Sequence, residues 1–298
     1  MQAVYGFPES EAAAGRLAAR LALPCRVVSL HRFPDGESLV RVDPPALSAI
    51  LYRSLDRPND KLIEILLAAS ALRDGGCEEI TLVAPYMAYM RQDIAFHSGE
   101  AVSQKVVGKL LAGAMDRVAT VNPHLHRTPT IDAVFPGIAA IAIDAAPAIA
   151  ALLATEGIAR DTVVIGPDEE SRPWARALAE PLGLPVITAT KERRGDRDVT
   201  VSLPETPTLA GRPVLLLDDV VSTGGTLAAC ARAARAAGAG RIEAFVVHAL
   251  CDEQTMRGLA AAGIDRLRSC DGVPHPSNAL HLADLLAAAL GGPRARAR

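Results

Sequence analysis

Short apolar runs alternate with alanine-rich stretches of helical spacing along the whole chain, and this pattern predicts an α/β fold with largely parallel sheets. Continuous apolar runs mark strands covered on both faces, and they fall around 27–30, 80–84, 118–121, 138–143, 162–165, 185–188 and 214–217. The runs ending at Ala84, Val121, Ile165 and Leu217 are each followed by polar or charged residues. Ligands of open α/β sheets bind at the carboxyl ends of strands, so these four ends are expected to converge on a site. Two stretches echo each other: 63–85, IEILLAASALRDGGCEEITLVAP, and 225–249, GTLAACARAARAAGAGRIEAFVVHA, both run helix, glycine break, short polar step, apolar strand. The echo predicts two similarly built domains, 1–142 and 143–284, with 285–298 a helix end and basic tail.

Composition narrows the class. At 298 residues with half of them apolar, the chain suffices for two ordinary globular domains. Aromatics are only 3%, with Trp174 the single tryptophan, and the formal charge is -3; both argue against a nucleic-acid surface. The basic tail PRARAR reads as a frayed end. Cys25, Cys77, Cys230, Cys251 and Cys270 lie far apart without CxxC spacing, which predicts reduced thiols in a cytoplasmic protein. MQAVYGFPES lacks a secretory pattern, and no apolar run approaches about 18 residues, so neither secretion nor membrane spanning is expected.

The densest chemistry lies in 214–226, VLLLDDVVSTGGT. The chain turns polar at Asp218 and Asp219 directly after its apolar run, which puts both acids at a strand end, and 227–237 reads as a helix starting near 223–226. N–H groups exposed at a helix start attract phosphate. Ser222, Thr223 and Thr226 add hydroxyl donors, while Gly224 and Gly225 permit close approach and positive φ. The acid pair suits sugar hydroxyls or Mg²⁺, since hard cations prefer carboxylate oxygens. Each piece alone also fits an acidic strand end before an ordinary capped helix; the ordered whole favours a sugar phosphate with its metal.

Asp218, Asp219 and Thr223 to Thr226 resemble the phosphoribosyl pyrophosphate binding motif of type I phosphoribosyltransferases and ribose-phosphate pyrophosphokinases: two acids, then Thr-Gly-Gly-Thr. PYMAYMRQD at 85–93 separates the two groups, because it resembles the PYxxYxRQ element of the pyrophosphokinases, where arginine and glutamine contact ATP. Arg91 suits a bidentate phosphate grip and Gln92 an adaptable pair for base or ribose, and the resemblance implies that Asp93 joins them as an ATP contact; a solvated charged loop is the alternative. RFPDGES at 32–38 resembles the family's FxDGE loop, which implies that Phe33, Asp35 and Glu37 contact the adenine end of ATP bound to a neighbouring subunit. Without the resemblance it is a Pro-Asp-Gly turn. RSLDRPNDKLIEIL, from Arg53, resembles a segment in which an Asn-Asp pair opens a long helix; Asn59 and Asp60 are read as structural caps for a helix from Lys61. KERRGD at 191–196 resembles the family's flexible catalytic loop, with Lys191 and Arg193 at its Lys-x-Arg positions. Cations brought by a closing loop stabilise a transferring diphosphoryl group and exclude water.

The similarity runs from Tyr5 to about Leu285, and RQDIAFHSGEAVSQK with KERRGDRDVTVSLPE resembles the archaeal branch. It implies two type I phosphoribosyltransferase-like domains, an ATP side and a ribose 5-phosphate side. It also implies transfer of the β,γ-diphosphoryl group of Mg-ATP to ribose 5-phosphate, Mg²⁺ as cofactor, and a homo-oligomer (dimer, tetramer or hexamer) with the ATP site completed by a neighbour. In that scheme Ser222 to Thr226 hold the 5-phosphate, Asp218 and Asp219 the ribose hydroxyls, and His124 and Asp168 help position Mg-ATP and the sugar. The absence of GxxxxGK[ST] excludes a P-loop.

Three segments depart from the family pattern. VNPHLH has Asn122 where an aspartate is usual, with His124 aligned to the family histidine and His126 the alternative. GPDEESRPWAR keeps Asp168 but carries Glu169, Glu170 and Ser171 in place of a small permissive loop; Glu170 either adds a metal contact or is solvated. CDGVPHPSN carries His275, read as structural. These departures keep a non-catalytic regulatory paralogue open, alongside a phosphoribosyltransferase that consumes phosphoribosyl pyrophosphate.

Overall fold

The computed structural model describes residues 1–125, 127–193, 199–203 and 209–291, with backbone alone at 191–193 and 199–200. The chain divides into two compact units: Met1–Ile143 with Gly272–Pro274 and the chain from His281, and Asp144–Asp271 with His275–Leu280.

Unit 1 runs β1 (Gln2–Gly6), α1 (Glu11–Leu21), β2 (Cys25–Val27), β3 (Ser29–Arg32), β4 (Ser38–Arg41), β5 (Ser48–Tyr52), α2 (Pro58–Asp74), β6 (Glu79–Val83), α3 (Ser103–Ala112), β7 (Arg117–Val121) and β8 (Ala139–Ile143). Six strands form one sheet in the order β2-β1-β5-β6-β7-β8, every neighbouring pair parallel. A sheet with helices on its faces buries both sides of its strands, and β1 and β5 accordingly bury Ala3, Val4, Tyr5, Ala49, Ile50 and Leu51. Helix α2 covers this sheet with Leu62, Ile65, Ala68, Ala69 and Leu72, a set at helical spacing. β3 and β4 leave the sheet as a separate antiparallel hairpin.

Unit 2 runs α4 (Ala146–Glu156), β9 (Val163–Gly166), α5 (Arg172–Ala179), β10 (Val186–Thr188), β11 (Thr190–Arg193), β12 (Val199–Ser202), β13 (Val214–Val221), α6 (Gly225–Ala236), β14 (Ile242–Ala249), α7 (Glu253–Ala261), β15 (Arg266–Cys270) and β16 (Asn278–Leu280). Its parallel sheet has the order β10-β9-β13-β14-β15-β16, and β11 with β12 forms the separate hairpin. Counted along each sheet, both units have the order 2-1-3-4-5-6. The order reverses between β1 and β5 in one and between β9 and β13 in the other, the positions where open sheets open a crevice.

The sequence echo extends to a shared polar brace. In unit 1 Asp116 accepts from the Ile80 N–H at 2.6 Å and pairs with Arg73 at the end of α2. In unit 2 Asp265 accepts from the Ile242 N–H at 2.7 Å and pairs with Arg235 at the end of α6. Gly76 and Gly238, three residues after each arginine, both take positive φ, 86° and 84°, where a side chain would be strained. The Ile242 N–H above all, and then Arg235, hold the Asp265 carboxyl below the usual range despite some burial.

The structure corrects several expectations. β13 continues through both acids to Val221, because β14 goes on pairing with it as far as Val221↔Ala249. The run at 27–30 is two strands, since the chain leaves the sheet at Val28 to enter the hairpin. Asn59 and Asp60 are not caps: α2 starts at Pro58, behind Arg57 in a left-handed conformation, and they sit in its first turn. Helix α8 (Ala283–Gly291) belongs to unit 1, where Asp284 pairs with Arg20 of α1 and the Ala289 carbonyl accepts from Arg117.

Candidate active site

In unit 2 the expected sugar phosphate residues meet at the strand reversal. β9 stops pairing with β13 at Ile165↔Leu216, so Asp218 stands just past the end of β9. The loop after β9 carries Asp168. Burial first, and then the negative charges of Asp219 and Asp168, push the Asp218 carboxyl well above the ordinary range. The Asp219 N–H donates to Asp218 at 3.0 Å. Three carboxylates thus crowd one strand edge, and their mutual repulsion favours cations or hydroxyl donors there.

The chain then turns at Ser222 and Thr223 into α6. Gly224 is its N-cap, at φ 71°, and no side chain caps the first turn. A Cβ on Gly224 would lie 2.9 Å from Thr255 Cγ2 and 3.1 Å from Leu259, so both conformation and packing require glycine. Thr223 and Gly225 are exposed, and Ser222 and Thr226 half-buried. The unpaired N–H groups of a helix start, without a side-chain cap and flanked by three hydroxyls, form an anion cradle.

The departing loop 169–171 closes on Asp168 rather than opening the site. The Ser171 N–H donates to Asp168 Oδ1 at 3.0 Å, and its hydroxyl donates to the Asp168 carbonyl at 2.6 Å. Gly166 makes room, since a Cβ there would lie 2.4 Å from Ser171 Oγ. Glu169 pairs with Arg172, and Glu170 is exposed. Lys191 and Arg193 stand on strand β11, paired with Val201 and Val199, rather than in a loop; Gly195 and Asp196 lie outside the described residues. His275 is held inside unit 2, its ring nitrogens 2.6 Å from Ser277 Oγ and 3.1 Å from the Cys251 carbonyl.

In unit 1 the β3–β4 hairpin carries Phe33, Asp35 and Glu37 at its exposed tip. The Phe33 N–H donates to the Glu37 carbonyl at 2.8 Å, and Gly36 takes φ 92°. Phe33 packs edge-on against His31 at 4.7 Å. The hairpin base is anchored by a residue sequence reasoning did not single out: buried Glu64 of α2 accepts from Arg32 Nε at 3.1 Å and Ser38 Oγ at 3.0 Å. Beyond β6, Arg91 is exposed, while the Gln92 side-chain carbonyl accepts from Ser103 and Asp93 is buried in an ion pair with Arg127. His124 is half-buried on the loop after β7. Asn122, at φ 37°, occupies a conformation that asparagine tolerates better than most residues. His126 lies outside the described residues.

Among the described residues no group of three or more His, Cys, Asp or Glu side chains is placed to hold a metal, and His124 and Asp168 belong to different units. No described helix is long and apolar enough to cross a membrane.

Twin parallel sheets of one strand order, the second with an acid pair and an anion cradle at its reversal point, define a protein built from phosphoribosyltransferase-type domains. Residues 3–114 match the N-terminal domain of ribose phosphate pyrophosphokinase and residues 138–275 the phosphoribosyl transferase domain. The chain belongs to the ribose-phosphate pyrophosphokinase family. It is 36% identical to the ribose-phosphate pyrophosphokinase of Methanopyrus kandleri over 92% of this chain and 94% of the relative, and 35% identical to that of Halobacterium salinarum over 94% and 98%. The solved structure of phosphoribosylpyrophosphate synthetase from Mycobacterium smegmatis matches with a TM-score of 0.83 at 25% identity, covering 97% of both chains.

Proposed function

We propose that this chain is a ribose-phosphate diphosphokinase, which converts ATP and ribose 5-phosphate into AMP and phosphoribosyl pyrophosphate. The anomeric oxygen forms a bond to the β-phosphorus of Mg-ATP, the bond from that phosphorus to the α-phosphate oxygen breaks, AMP leaves, and the hydroxyl proton is released. The observation that carries this reading is the union of a pyrophosphokinase N-terminal domain with the cradle at the β9/β13 reversal. A simple phosphoribosyltransferase leaves that first domain without a purpose.

Ser222 to Thr226 hold the 5-phosphate, a role supported by the uncapped start of α6. Asp218 and Asp219 take the ribose hydroxyls. Phe33, Asp35, Glu37, Arg91 and Gln92 form the ATP contacts, with His124 donating to phosphate oxygen. The exposure of the hairpin tip supports its presentation to the ATP of a neighbouring chain in a homo-oligomer. Mg²⁺ fits the donor set: the hard carboxylate oxygens of Asp168, Asp218 and Asp219 suit a cation that keeps substrate phosphates and water as its other ligands. The chemistry a bound Mg²⁺ supplies is neutralisation of diphosphoryl charge. Five cysteines without disulfides support a cytoplasmic setting.

Purified protein given Mg-ATP and ribose 5-phosphate is expected to form AMP and phosphoribosyl pyrophosphate in equal amounts; no AMP with any divalent metal would sink the reading and leave the regulatory paralogue.

The Asp218 carboxyl gives a second expectation. Its raised folded-state pKa means that stability falls as pH rises from the ordinary carboxylate range through the raised value. Asp218→Asn removes that repulsion. The ligand-free variant should melt above the wild type near neutral pH, with the gap closing toward about pH 4, while ribose 5-phosphate binding is lost. Melting curves across this range, paired with calorimetric titration, check both halves; a variant that melts below the wild type at neutral pH contradicts the first.

A further inference from the structure

Three segments of unit 1 close into a ring beside the nucleotide contacts. Asp93, whose side chain is only 3% exposed, has Oδ1 3.0 Å from Nη1 of Arg127. Gln104, buried at the start of α3, joins the remaining parts. Its N–H donates to the Gln92 carbonyl at 3.2 Å, its amide nitrogen to the Met90 carbonyl at 3.4 Å, and its amide oxygen accepts from Thr128 Oγ1 at 2.7 Å. Ser103 donates to the Gln92 side chain. The turn 90–93, the start of α3 and residues 127–128 are therefore pinned together.

Arg91 rides on one side of this ring and His124 on the loop that ends in the other. The Asp93 carboxylate is almost wholly shielded from solvent, and removing one partner of such a pair leaves the other without its counter-charge. From this clasp we infer that Arg127 is a positioning residue that acts through Asp93, holding the loop of His124 at a fixed spacing from Arg91. Asp93 is then a structural anchor of the ATP contacts rather than an ATP contact. The inference rests on the nucleotide role of unit 1.

Binding of α,β-methylene-ATP with Mg²⁺, measured by calorimetry on the full-length protein, tests it apart from turnover. Arg127→Ala is expected to weaken the analogue about tenfold, the scale of a misplaced contact set, while ribose 5-phosphate binding is unchanged. Arg127→Lys keeps a cation near Asp93 and should recover part of the loss. Combining Asp93→Asn with Arg127→Ala should cost no more than Arg127→Ala alone, as for two residues acting as one unit. Additive losses, an equal loss for both ligands, or full nucleotide affinity in Arg127→Ala overturn the inference. Wild type that binds the analogue but forms no AMP removes the diphosphokinase reading and leaves the clasp to the binding data. Wild type that binds no analogue overturns both.

Discussion

Replacing Lys191 by alanine is expected to lower turnover about 100- to 1,000-fold, the scale seen when a donor aimed at developing charge is removed. KM for ribose 5-phosphate should stay near the wild-type value, because Asp218, Asp219 and the 222–226 cradle lie on other elements. Diphosphoryl transfer spreads negative charge over phosphate oxygens as the bridge bond breaks, and a cation that engages there acts on the transition state more than on bound substrate. Lys191 lies on β11, which pairs with β12 as a two-stranded antiparallel element outside the parallel sheet. Steady-state kinetics with both substrates varied separates the terms. A rise in KM for ribose 5-phosphate with unchanged kcat would assign Lys191 to ground-state binding instead.

How far the sequence reveals this site depends on the range of each interaction. The cradle is legible because its parts are contiguous: apolar run, acids, hydroxyls, glycines and helix follow one another within 214–237. Its boundary is less so. The apolar pattern stops at Leu217, but strand pairing continues to Val221, since a backbone ladder does not require apolar side chains at a ligand-facing edge. β15 escapes notice because RLRSC carries two arginines and only one large apolar residue. Arg268 is nevertheless buried there, held by a bidentate pair with Glu156 at 2.7 Å and stacked over Phe245. Glu64 reads as one more polar residue of an amphipathic helix, and Arg127 as a charged loop residue. Both matter through partners 11 to 34 residues away on other elements, which no local pattern encodes.

The strand reversal of unit 1 carries the other large expected effect. At the corresponding point of unit 2, carboxylates face a cradle; in unit 1 the chain fills the crevice itself. Arg53, directly after β5, is 1% exposed. Its Nε lies 2.7 Å from Glu9 after β1, Nη2 pairs with Glu64, Nη1 donates to the Lys61 carbonyl at 3.3 Å, and the guanidinium lies 4.0 Å from the Phe7 ring centroid. Burial alone would raise the Glu64 carboxyl, but Arg53, Ser38 and Arg32 outweigh it and hold it below the usual range. Glu64 therefore adds stability above the ordinary carboxylate range that is lost as pH falls through its folded-state value. Removing one partner of such a buried pair costs about 3–5 kcal/mol, because the other charge stays buried. Arg53→Met should accordingly lower the melting temperature by about 6–20 °C at neutral pH. Adding Glu64→Gln to Arg53→Met should restore part of that loss, since the neutral amide no longer needs a cation. The deficit of the single variant should also narrow in acid, where Glu64 takes up a proton. Denaturant unfolding of the two single variants and the double variant measures the coupling. An Arg53→Met protein within about 1 kcal/mol of wild type would show that Arg32 alone neutralises Glu64, and that the crevice of unit 1 does not depend on its internal cation.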